Sequence, residues 1–366
     1  MKKLLFCLLI GTSLISQSCL NDNDDPIAVP PIEGKTVEPS VGGGAQPNQV
    51  WIDLSEVDEK GNPLQTFNRR TDWDLAFYSG NEFRVVLNSS IAMAAGKVDN
   101  ATSLTQVTEA NAATLMNQIQ VANFNPANTV YIDDVRGNFP TGSTAIGEIK
   151  TNDAENGIYL INMGKDIYNG TVPTGSALTG GDNRGWMKIQ IVRYGEGYKI
   201  KYAELNSNTV KEAVITKNNA YNFKFFSLKN NAEVAIQPEK KKWDISFTVF
   251  TNLIDGAGSY VYADFVTHNI SGGAGVYEVK VDAPLTGVEA YNNFKASDID
   301  QSKFVYDDQR TIGGNWRTAG PSGSSVNTSV FYVIKDPNGY YFKLKFMRLT
   351  SLEGERGRPQ FEYKPL

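Results

Sequence analysis

Large apolar residues alternate with polar ones along most of the chain. Val50-Trp51-Ile52-Asp53-Leu54, Tyr198-Lys199-Ile200-Lys201-Tyr202 and Phe342-Lys343-Leu344-Lys345-Phe346 each set apolar side chains two residues apart. Successive side chains of a strand point to opposite faces, so this spacing predicts sheets with one packed face and one wet face. Asp336-Pro337-Asn338-Gly339, between Phe331-Tyr332-Val333-Ile334 and Tyr340-Tyr341-Phe342, predicts a hairpin turn. Gly195-Glu196-Gly197 predicts another. One helix is expected over Thr108 to Val121, where Ala110, Ala113, Met116 and Ile119 recur near helical spacing. The fold class is therefore all-β, of β-sandwich type.

The strand landmarks repeat. Asp72-Trp73-Asp74-Leu75-Ala76-Phe77 recurs as Lys242-Trp243-Asp244-Ile245-Ser246-Phe247. Upstream, Trp51-Ile52-Asp53-Leu54-Ser55 is matched to Asn222-Phe223-Lys224-Phe225-Phe226. Downstream, Ile158 to Ile161 matches Phe331 to Ile334, Met187 to Arg193 matches Phe342 to Arg348, and Ile200 to Tyr202 matches Phe361 to Tyr363. Landmarks kept in one order indicate an internal duplication. The expected division is a β domain over 47–206 and a second over 207–366, the first carrying an extra Gly- and Thr-rich loop, Gly164 to Gly185. The repeated Trp-Asp pair reads as a core landmark, since the indole buries a large area and the carboxylate takes backbone N–H bonds.

The N-terminus follows another pattern. Met1-Lys2-Lys3 is basic, Leu4 to Ile15 is apolar but short for a membrane span, and Ser16-Gln17-Ser18 precedes Cys19. This predicts a lipoprotein signal peptide over 1–18, with Cys19 as the lipid attachment point. Of the chain's two cysteines, Cys7 would leave with the leader and Cys19 would stand alone, as thioether lipidation requires. The acidic run Asn21 to Asp25 and the Pro- and Gly-rich stretch up to Pro47 predict a flexible tether over 19–46.

Composition narrows the function. A net charge of −5, with no basic run beyond Lys240-Lys241-Lys242, argues against a nucleic-acid partner. The single histidine rules out a multi-histidine zinc site. No nucleophile elbow, phosphate loop or complete calcium loop is present, and the expectation is a non-enzyme.

These landmarks carry a resemblance. Trp243-Asp244-Ile245-Ser246-Phe247, Val330-Phe331-Tyr332-Val333, Asp336-Pro337-Asn338-Gly339 and Phe361-Glu362-Tyr363-Lys364-Pro365 together resemble the HmuY family, the haem-binding surface lipoproteins of Bacteroidetes. The resemblance implies lipid anchoring at the outer membrane with surface exposure. It further implies haem capture for a TonB-dependent outer-membrane transporter, with haem iron held between two loop histidines or methionines. The loop Asn315 to Thr328, where the family places one ligand, has neither, so no ligand is carried over. The candidates from the residues themselves are His268, Met116 and Met93, with Arg317 and Arg348 as cations for the haem propionates. Met163 and Met187 read as core. The alternative is a duplicated surface β lipoprotein that binds another ligand or a partner protein.

Overall fold

The computed structural model describes residues 33–320 and 323–366, whose regular structure is mainly antiparallel strands, with two short α-helices, Glu109–Gln118 and Gly287–Asn293. Cys19 and the proposed signal peptide lie outside the described residues. Four sheets form two sandwiches. In the first, Lys211–Ile215, Gly197–Glu204, Trp186–Tyr194, Ile158–Asn162 and Ala94–Lys97 form one sheet in that order. It faces a sheet of Ala232–Val234, Phe223–Ser227, Leu75–Tyr78 and Val85–Leu87. In the second, Lys35–Val37, Arg356–Pro365, Tyr341–Thr350, Val330–Lys335 and Gly275–Lys280 face Gly258–His268, Ile245–Ile254, Asn48–Val57 and Pro63–Arg69.

The period of two decides which residues meet. Leu75, Phe77 and Phe226 point into the first core with Ile189, Tyr198, Ile200 and Tyr202. Val50, Ile52, Leu54, Ile245 and Phe247 point into the second with Phe342, Leu344, Phe361 and Tyr363. The intervening residues Trp51, Trp73, Ala76, Phe223, Phe225 and Trp243 point the other way and form a third cluster, where the two four-stranded sheets meet. Trp51 lies edge-on to Trp243 at 4.9 Å, and Trp73 to Phe225 at 4.9 Å. Each such side chain buried there contributes about 1.5–3 kcal/mol.

The sheets do not divide at the expected 206/207 boundary. The hairpin formed by Asn48–Val57 and Pro63–Arg69 pairs with Ile245–Ile254 of the second copy, Ile52 standing opposite Ile245. The hairpin formed by Phe223–Ser227 and Ala232–Val234 pairs with Leu75–Tyr78 of the first copy. The copies thus exchange their leading hairpins. The aspartate after each tryptophan records the symmetry. Asp74 N–H donates to Phe226 O, and its Oδ2 accepts Leu228 N–H at 2.7 Å. Asp244 N–H donates to Ile52 O, and its Oδ2 accepts Leu54 N–H at 2.6 Å. Ile52 is therefore the counterpart of Phe226, and the expected upstream match is shifted by three residues.

The tether expectation also changes from residue 33 on. Lys35–Val37 extends the C-terminal sheet against Tyr363 to Phe361. Gln46 is fully buried, donating to Asp264 Oδ1 at 2.6 Å and accepting Asp264 N–H at 2.9 Å. A Pro- and Gly-rich sequence meets such fixed turns as readily as a loose linker.

The helix begins one residue inside its expected start and ends three before its expected end, with Asn111 Oδ1 accepting the Thr108 N–H at 2.9 Å. Its inner face runs Ala112, Leu115, Met116 and Ile119, while Ala110 and Ala113 are exposed. Gly96 lies beneath it, where a Cβ would stand 2.8 Å from Ile119 Cδ1.

Candidate functional site

The extra loop Gly164 to Gly185 replaces a turn of four residues in the second copy. The counterpart of Met163 is Asp336, where the second copy turns at once: Asp336 Oδ1 accepts the N–H groups of Asn338 and Tyr340 at 2.9 and 2.7 Å. The first copy instead runs out from Met163 and returns at Gly185, whose carbonyl accepts Met163 N–H at 3.0 Å. Inside the loop, Asp166 N–H donates to Asp182 O and Arg184 N–H to Gly164 O. Its tip reaches the other sandwich, with Gly175 N–H on Gly354 O and Leu178 N–H on Gly44 O.

The root of this loop, the end of the first sandwich and the helix border an open cavity of about 760 Å³. This is within the usual range for small-molecule sites, about 300–1,000 Å³. Met163 and Met187 enter it from the strands, Met116 from the helix, and Trp186 and Leu205 add apolar surface. Arg184, Lys211 and Lys229 supply cations, and Glu109, Asp166 and Glu204 supply carboxylates. Arg184 is held on three sides. Its Nη2 lies 2.8 Å from Asp74 Oδ1, its Nε 3.5 Å from Asp166 Oδ1, and its Nη1 donates to Met163 O at 3.1 Å. Three of the chain's six methionines therefore converge on one cavity. Their thioethers are soft, polarizable donors suited to iron in a flat apolar ring system.

Of the candidates read from sequence, Met116 reaches this cavity and the other two do not. Met93 is buried in the first core and borders only a void of about 40 Å³. His268 is buried in the second sandwich, Nδ1 3.2 Å from Gln309 O and Nε2 3.1 Å from Val305 O. A neutral imidazole has one N–H for those two carbonyls. Burial drives its pKa down to about 4 against the pull of both carbonyls, so at neutral pH the ring is uncharged. Arg317 and Arg348 are engaged elsewhere, Arg317 beside Asp264 and Arg348 on Glu38. Met163 and Met187 are core residues, as read, but their inner edges also line the cavity. The signal for them was the loop: both flank an insertion that one copy has and the other lacks.

The HmuY protein family model matches residues 45–224 and again 218–363. Each match begins ahead of one exchanged hairpin, so the repeat in sequence and the sandwich in space are offset by that hairpin. No curated protein and no solved structure matches the chain.

Proposed function

The chain belongs to the HmuY family, and from that premise we propose that it is a surface lipoprotein, anchored at Cys19, that binds haem in the cavity of its first copy. It would hand the haem to a TonB-dependent outer-membrane transporter and so aid haem and iron acquisition. The observation that supports this reading most is the convergence of Met116, Met163 and Met187 on a cavity of about 760 Å³. Two of these thioethers would serve as the axial pair, and Lys211 and Lys229 would meet the propionates. Among the described residues no helix is long and apolar enough to cross a membrane, so attachment through lipid is the anchoring this reading uses.

An absorbance titration of residues 20–366 with ferric haem, then dithionite, tests the reading. A saturable Soret band with resolved Q bands is expected. Met163→Leu and Met187→Leu should shift or abolish it while keeping the fold, since Leu conserves volume at a cost below about 1.5 kcal/mol. A broad band that never saturates would contradict haem binding. Recognition of another ligand or a partner protein without spectral change would then account for the cavity.

A further inference from the structure

Among the described residues the matching end of the second sandwich lines no cavity of that size and holds instead an unusual group of side chains. Asp53 and Asp244 come from the exchanged hairpin and the strand it joins, and Asp336 from the turn that replaces the long loop. All three are at least 96% buried. Asp53 Oδ1 accepts Ser55 N–H, Ser55 Oγ–H and Glu56 N–H at 2.8–3.0 Å. The other oxygens, Asp53 Oδ2 and Asp336 Oδ2, are buried without a hydrogen-bond partner, and so is the Tyr363 hydroxyl. The nearby cation, Lys242, is half exposed and engaged with Glu56. Among the described residues no set of three or more His, Cys, Asp or Glu side chains is arranged to hold a metal ion. Three buried carboxylates without a buried counter-charge cannot all stay ionised.

We propose that Asp53, Asp244 and Asp336 form a buried acid latch that fastens the exchanged hairpin of residues 48–69 to the second copy while it holds protons, and that the latch loosens as those protons leave to solvent. A protonated carboxyl needs no buried counter-charge, and its O–H is a donor where an ionised carboxylate has only acceptors. The charged and titratable neighbours act in both senses. Burial raises all three carboxyls, and the Asp53 and Asp336 charges raise Asp244 further. Lys242 and the Ser55 bonds oppose this at Asp53, and Tyr363 is itself pushed up to about 12. The first copy lacks the device: Asp53 is replaced by Ser227 and Asp336 by Met163, while Asp74 takes Arg184 as its partner. For a group whose pKa is raised on folding, stability is present at low pH and drains away as pH rises through the folded value.

The test compares two equivalent amides in the full chain. Leu54 N–H bonds Asp244 and Leu228 N–H bonds Asp74, so the ratio of their hydrogen-exchange rates cancels intrinsic base catalysis. Raising the pH from about 6 to about 9 should increase the Leu54-to-Leu228 ratio several-fold. Asp336→Asn or Asp53→Asn, which puts a permanent donor in place of a titrating carboxyl, should hold the ratio flat. A ratio constant with pH in the unaltered chain would overturn the proposal, as would one whose rise survives in both variants.

Discussion

Asp74 and Asp244 occupy equivalent positions, each following a core tryptophan and each accepting a backbone amide from the other copy's hairpin. Asp74 meets the buried guanidinium of Arg184 at 2.8 Å, whereas Asp244 faces two further carboxyls. The difference traces to one change of connection. A long loop after Met163 brings in Arg184 and opens a cavity, and a short turn after Ile334 brings in Asp336 and closes the same end. Duplication thus left one copy with a cavity behind a long loop and the other with buried carboxyls behind a short turn. Exchange of hairpins means that neither sandwich is complete without residues from the other.

The largest effect separates the two aspartates. Asp74→Asn leaves the buried Arg184 only the half-exposed Asp166 at 3.5 Å and should cost about 3–5 kcal/mol in urea unfolding. Asp244→Asn keeps a carbonyl for Leu54 N–H and relieves like-charge crowding, so it should cost under about 1 kcal/mol at neutral pH. Equal costs would break the comparison.

Next come two opposed pH limbs. His268 stands where the first copy has Leu87, each opposite the first residue of the strand after Trp-Asp. Its folded pKa of about 4 lies below the unfolded value of 6.5. Stability is therefore complete above about pH 6.5 and falls as pH drops towards 4, by about 3 kcal/mol in all. His268→Leu, which installs the first copy's residue, should flatten that acid limb. Asp133 does the reverse: burial raises it to about 7 although Leu87 and Ala145 N–H groups bond to it. Its contribution is full below the unfolded value of 3.8 and is lost as pH rises through 7, so Asp133→Asn should flatten part of the alkaline limb. Thermal unfolding across pH reads both.

The smallest effect concerns the turn itself. Gly339 has φ 92° with open space around its Cα, so Gly339→Ala should cost about 1 kcal/mol from backbone strain alone. A much larger loss would mean that the turn packs against something beyond its own hydrogen bonds.

Much of the fold was legible because the chain alternates strictly. Tyr198, Ile200 and Tyr202 are buried as their spacing required, and the Asp336 to Gly339 turn closes as its residues dictate. Other features were hidden for physical reasons. Lys343 alternates like a surface residue, yet it is buried beneath the second helix, donating to Tyr291 O and Phe294 O at 2.7 Å. Hairpin exchange leaves no local mark, because an apolar strand with a period of two fits either copy's sheet equally well. The Ile52 match slipped by three residues since repeated aromatics in Asn222 to Phe226 offer several registers. At the candidate site, Met116 was visible as a helical methionine. Met163 and Met187 read as core fillers, which they also are, and only the path of the loop shows that both reach a cavity.

The central claim is that one copy binds and the other does not, and haem stoichiometry tests it most directly. Titration of residues 20–366 monitored at the Soret band should saturate at one haem per chain. Replacing the loop between Met163 and Trp186 with Pro-Asn-Gly-Tyr, the turn of the second copy, should remove that binding. Saturation at two haems per chain, or full binding after the loop is replaced, would contradict the account.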